Sequence, residues 1–160
     1  MASLHALTVQ SLDGQSIDLA RYRGKVLLVV NTASQCGLTP QYAGLQALYN
    51  ELAPRGVEVL GFPSNDFGAQ EPGTAAEIRE FCTARYAVTF PLFAKVVTKG
   101  EAAQSPVYAA LGKATGKLPG WNFAKYVVGK DGVPLRFFDS RVAPDDKELR
   151  ATLESALAAP

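Results

Sequence analysis

Residues 26–30 read Val-Leu-Leu-Val-Val, an apolar run with no polar face. A strand of that kind is buried on both sides, so the chain must supply a covering layer above and below it. Leu38, Tyr42, Leu45, Tyr49 and Leu52 then recur at helical spacing, with Thr39 and Pro40 at the start and Pro54 and Gly56 past the end. A second apolar strand follows at 57–62. This strand–helix–strand unit around a doubly buried strand leaves little room for an all-helical or an all-β fold.

The flanking segments complete the layers. Leu7 and Val9 face Ile17 and Leu19 across an Asp13-Gly14 turn, which predicts an N-terminal hairpin. Thr74 and Glu77 form a capping box for a helix reaching about Arg85, with Ile78, Phe81 and Cys82 on its inward face. The pattern predicts a short strand over 90–97, a helix from Ser105-Pro106 to about Ala114, and a hairpin of 123–128 with 133–138. Pro144, Asp145 and Asp146 start a last helix with Leu149, Leu153 and Leu157 on one face. The expected architecture is α/β: a central mixed sheet with helices on both faces and an N-terminal β-hairpin, a thioredoxin-like layout. At 160 residues, one domain spanning 1–160 accounts for the whole chain.

Composition narrows the function. Sixteen basic and 15 acidic residues give a net charge of +1, which offers nothing to a nucleic-acid partner. The longest apolar runs are five residues, so no membrane span is expected, and the first ten residues carry no Lys or Arg and no signal-peptide pattern. Two cysteines and one histidine cannot build a four-ligand zinc site, and neither metal nor cofactor is expected. The expected setting is cytoplasmic, with both thiols reduced.

Cys36 falls between the doubly buried strand and the first helix, in Asn31-Thr32-Ala33-Ser34-Gln35-Cys36-Gly37-Leu38-Thr39-Pro40. At such a junction a thiol faces unpaired backbone N–H groups and the positive end of a helix dipole, both of which favour the thiolate. The other reading is a small buried hydrophobe, the fate of most free cysteines. Position alone leaves both open.

Three longer blocks go further. NTASQCGLTPQYAGLQALY around Cys36, VLGFPSNDFGAQEPG at 59–73 and WNFAKY at 121–126 resemble, in sequence and in spacing, the active-site segments of the glutathione peroxidase family. The similarity runs from about Leu7 to Arg141. It implies a hydroperoxide-reducing enzyme with a catalytic tetrad of Cys36, Gln70, Trp121 and Asn122. A peroxiredoxin would instead carry Pro and Thr where this chain has Val29 and Ala33.

The tetrad is chemically sensible. A free thiol of pKa about 8.5 is only about 3% thiolate at pH 7. Acidifying it to about 6 raises that roughly thirtyfold, but falling nucleophilicity takes back roughly tenfold. The larger lever is a set of fixed donors facing the charge that develops as the O–O bond breaks, each worth ~10²–10³ in other enzymes. Gln70, Trp121 and Asn122 are uncharged N–H donors of that kind. Outside the resemblance, Gln70 could tie down a loop, Trp121 fill a core and Asn122 sit in a turn. His5, placed by sequence in an N-terminal tail, is not an obvious general acid.

The resemblance also assigns Cys82. Members of the family that use thioredoxin carry a second cysteine in this stretch, which captures the sulfenic acid of the first and forms a disulfide that thioredoxin reduces. That chemistry protects against overoxidation. On position alone Cys82 could equally be core filling. Where the family often has GFPCNQFG, this chain has GFPSNDFG, so Ser64 removes a third thiol and Asp66 adds a negative charge. Gly120 stands where a basic residue often precedes the tryptophan, and the long insertion of tetrameric members is missing, which points to a monomer. The alternatives are a glutathione-dependent peroxidase and a peroxide sensor that relays its disulfide to a partner protein.

Overall fold

The computed structural model describes residues 3–100 and 103–160. The remaining positions, 1–2 and 101–102, on which the domain expected over 1–160 and the expected absence of a signal peptide partly fall, lie outside the described residues. In chain order the elements are β1 (Thr8–Gln10), β2 (Ser16–Asp18), β3 (Val26–Thr32), α1 (Gln41–Leu52), β4 (Val57–Pro63), α2 (Ala75–Tyr86), α3 (Pro106–Thr115), β5 (Lys125–Val128), β6 (Pro134–Phe138) and α4 (Lys147–Ala158). β1 and β2 form the N-terminal hairpin. The main sheet has the order β4-β3-β5-β6, with β3 parallel to β4 and antiparallel to β5, and β5 antiparallel to β6. The mixed sheet with helices on both faces is the thioredoxin-like arrangement expected from the sequence.

The apolar run in β3 explains the layers. Val26, Leu28 and Val30 join one core with Leu45, Leu48 and Leu52 of α1, Ile78 and Cys82 of α2, and Leu149 and Leu153 of α4. Leu27 and Val29 point the other way, into a core with Val107, Tyr108 and Leu111 of α3 and the rings of Phe62 and Phe93. Alternation with period two sends successive residues to opposite faces, and here both faces are dry.

The register then fixes where the chain leaves the sheet. Thr32 at the end of β3 pairs with Pro63 at the end of β4, and Val30 pairs with Lys125 at the start of β5. The loops after β3 and β4 and the segment before β5 therefore emerge along one edge. In open α/β sheets that edge, beyond the carboxyl ends of parallel strands, is the usual place for a site.

Three expectations are corrected. The segment 90–97 is no strand: Leu92 bridges Gly61 and Phe93 bridges Ser11, one residue pair each. Helix α1 starts at Gln41, and Thr39 is no cap for it, because its hydroxyl accepts from the Cys36 amide and donates to the Ala33 carbonyl, both at 2.9 Å. His5 is no free tail residue: it is buried, in a short helical turn at Leu4–Ala6 packed under the β5–β6 turn, and the Leu4 amide donates to the Gly132 carbonyl.

Candidate active site

The residues 34–40 form a chain of turns after β3. Cys36 sits within them, 8% exposed, and its Sγ accepts the Leu38 amide at 3.3 Å. The expected helix end is not what meets the sulfur. With α1 beginning five residues later, the donor is a turn amide, held by the Thr39 hydroxyl that grips the loop at the Cys36 amide and the Ala33 carbonyl.

Gln70 reaches this loop from the segment after β4. Its carbonyl accepts the Gln35 amide at 3.0 Å, and its side-chain Oε1 accepts Nδ2 of Asn122 at 2.9 Å. Oε1 being so engaged, the Gln70 amide keeps its N–H donors for another acceptor. Asn122 is fully buried, whereas Trp121 is 39% exposed and packs against Phe67, ring centroids 5.8 Å apart. Gln70 and Asn122 are thus directly joined, Gln70 is tied to the residue before Cys36, and Trp121 closes the outer side on Phe67.

Gly68 lets this happen. Its φ is +66° and that of Ala69 is +50°. A Cβ on Gly68 would come within 3.0 Å of the Trp121 ring and 3.4 Å of the Gln70 side chain. Only glycine meets both demands, the backbone turn and the close approach. The charge introduced at Asp66 is directed elsewhere: its carboxylate accepts from the Thr98 amide at 2.6 Å and the Thr98 hydroxyl at 2.7 Å.

Cys82 lies in a different setting. It is fully buried in the third turn of α2, and neither cysteine is in a disulfide. Burial pushes its thiol up from the usual range; the carboxylate of Glu71 pushes the same way, and the Tyr42 hydroxyl beside it pulls back. Glu71 itself, 1% exposed, is raised by burial and steadied by Ser34, two residues before Cys36. Its Oε2 has no hydrogen-bond partner among the described residues. Among the described residues no three His, Cys, Asp or Glu side chains gather to hold a metal ion.

Thr39, Gly68 and Glu71 are the site residues that sequence reasoning did not single out. All three stand inside the quoted blocks, but Thr39 reads as a helix start, and no local periodicity or cap marks Gly68 or Glu71.

Known proteins similar in sequence to this chain belong to one family. The family model for glutathione peroxidase matches residues 4–112. The hydroperoxy fatty acid reductase gpx1 of Synechocystis sp. is 47% identical, covering 97% of this chain and 96% of its own. The thioredoxin/glutathione peroxidase BtuE of Escherichia coli is 37% identical, with 98% of each chain covered. The apo crystal structure of Trgpx superposes with a TM-score of 0.78 at 32% identity, over 99% of this chain and 97% of that one.

Proposed function

The chain belongs to the glutathione peroxidase family, and on that premise we propose that Cys36 is the peroxide-attacking thiolate, Gln70, Trp121 and Asn122 its donors, and Cys82 the resolving thiol. The protein is a hydroperoxide-reducing thiol peroxidase. In the first step the Cys36 sulfur attacks the nearer oxygen of ROOH. The O–O bond breaks, ROH leaves with a proton, and Cys36 becomes a sulfenic acid. In the second step the Cys82 thiol attacks that sulfur, an S–S bond forms and water departs. Two electrons and two protons from a dithiol then restore both cysteines.

One observation carries this reading: the loop bearing Cys36 is bonded through Gln35 to Gln70, and Gln70 to Asn122. Three chain segments far apart in sequence, carrying Gln35, Gln70 and Asn122, are thereby tied together at one sheet edge, which supports the reading. Donors fixed in advance need no reorganisation when charge develops on the departing oxygen.

We infer thioredoxin as the reductant. A second cysteine is present in α2, Gly120 offers no positive charge to an anionic tripeptide, and one relative is named a thioredoxin/glutathione peroxidase. A single cytoplasmic domain acting as a monomer is part of the same proposal. No helix among the described residues is long and apolar enough to cross a membrane. Steady-state turnover of peroxide with thioredoxin and its reductase, against glutathione and its reductase, tests the reductant. Faster turnover with thioredoxin is expected, and saturable turnover with glutathione alone would overturn it.

A further inference from the structure

The segment bearing Trp121 and Asn122 enters β5 through a bend centred on Phe123, whose φ is +65°. A bulky L residue avoids that left-handed region. Something must hold it there, and two side chains reach the bend's backbone. Asn31, fully buried in β3, donates from Nδ2 to the Trp121 carbonyl at 3.0 Å and accepts at Oδ1 from the Ala124 amide at 3.0 Å. Its own carbonyl accepts the Phe123 amide at 2.6 Å. Lys125, also fully buried, donates from Nζ to the Phe123 carbonyl at 2.6 Å.

A lysine is almost never buried without a partner. Here Asp139 and Asp146 bear on its ammonium from a distance, and the hydrogen bond found for it among the described residues is the one to Phe123. Burial lowers its pKa to about 8, so the site holds the amine against a real desolvation penalty. The Phe123 ring, meanwhile, is wedged edge-on against Tyr42 at 5.3 Å. Ring inward and carbonyl gripped, the bend carries Asn122 to its hydrogen bond with Gln70 and Trp121 to its packing on Phe67.

We propose that Asn31 and Lys125 form a clamp of positioning residues that holds Phe123 left-handed and so sets the Trp121 indole and the Asn122 amide for the peroxide step. The proposal rests on the tetrad reading above. Without the clamp the bend relaxes toward ordinary φ values and the donors swing away. A misplacement of about 1 Å in such groups costs roughly 10²-fold in rate.

Trp121 is the sole tryptophan of the chain, so its fluorescence reports the position of one donor directly. The test uses Lys125→Met and Asn31→Asp in the full chain, with Gln70→Ala beside them. In both clamp variants the loss of the Cys36 thiol to hydrogen peroxide should slow by roughly 10–10²-fold, with unchanged far-ultraviolet dichroism. The emission maximum or acrylamide quenching of Trp121 should shift. Parent-like rates, or slow rates with parent-like Trp121 emission, would overturn the clamp. So would one variant slow and the other at the parent rate, since the clamp acts as a unit. If one variant does not fold, the other decides; if neither folds, the two residues are core, and the proposal fails. Gln70→Ala separates the two levels. If it too reacts at the parent rate, the tetrad reading falls, whereas a slow Gln70→Ala with fast clamp variants removes the clamp alone.

Discussion

The two thiols share one hydrophobic core and are held in opposite ways. Cys36 lies in turns, with a backbone amide on its sulfur and the amide of the residue before it bonded to the Gln70 carbonyl. Cys82 lies inside a regular helix, fully buried, with burial and the Glu71 carboxylate both keeping its proton on. On the proposed cycle, Cys36 is the thiol that meets peroxide and Cys82 the one held in reserve. On the proposed cycle this difference calls for a mobile partner: the Cys82 sulfur, with no exposure inside α2, is expected to meet Cys36 by opening of that helix. The capping box at Thr74 and Glu77, with its bonds of 2.9 and 3.2 Å, is what opposes opening at the N-terminal end.

The largest break in the comparison is Cys82→Ser. Oxidation of Cys36 should proceed near the parent rate, because the nucleophile and its donors are untouched, while thioredoxin-driven turnover collapses and overoxidised Cys36 accumulates on mass spectrometry. Next, Gln70→Ala should slow the peroxide step by ~10²-fold in stopped-flow, with little change in thermal midpoint. A smaller effect sharpens the contrast from the other side. Thr74→Ala removes a helix cap worth about 1 kcal/mol, so opening of α2 should be about fivefold more frequent. Alkylation of Cys82 in the reduced protein should speed by that factor and that of Cys36 should not change.

The smallest expected effect is on pH. Burial raises the Cys82 thiol above the usual thiol range in the folded chain. The unfolded chain therefore holds fewer protons at alkaline pH, and stability from this group is present below about pH 9 and lost above it. The loss is at most about 1.4 kcal/mol per pH unit. Denaturant melts between pH 8 and 10 should show a shallower decline in Cys82→Ser than in the parent.

Legibility followed the same divide. Helix α2 was readable because its signals are local: Thr74 and Glu77 cap it, and Ile78 and Cys82 point inward as spaced. Strand β3 was readable because both of its faces are apolar. The loop of Cys36 was not. Leu38 stands four residues before Tyr42 and extends the helical pattern backward, whereas the Thr39 hydroxyl competes for the backbone and keeps 34–40 in turns. The apolar stretch 90–97 looked like a strand because it is pressed against the sheet edge, yet only single residues bridge to it. Side-chain bonds between distant segments, such as Gln70 with Asn122, leave no periodicity to read.

A peptide map of the protein after one equivalent of hydrogen peroxide, before and after addition of reduced thioredoxin, tests the central claim most directly. A monomer carrying one Cys36–Cys82 cross-linked peptide is expected, and that peptide disappears with thioredoxin as both free-thiol peptides return. Cys36 recovered as sulfenic or sulfinic acid beside an unmodified Cys82 would contradict it.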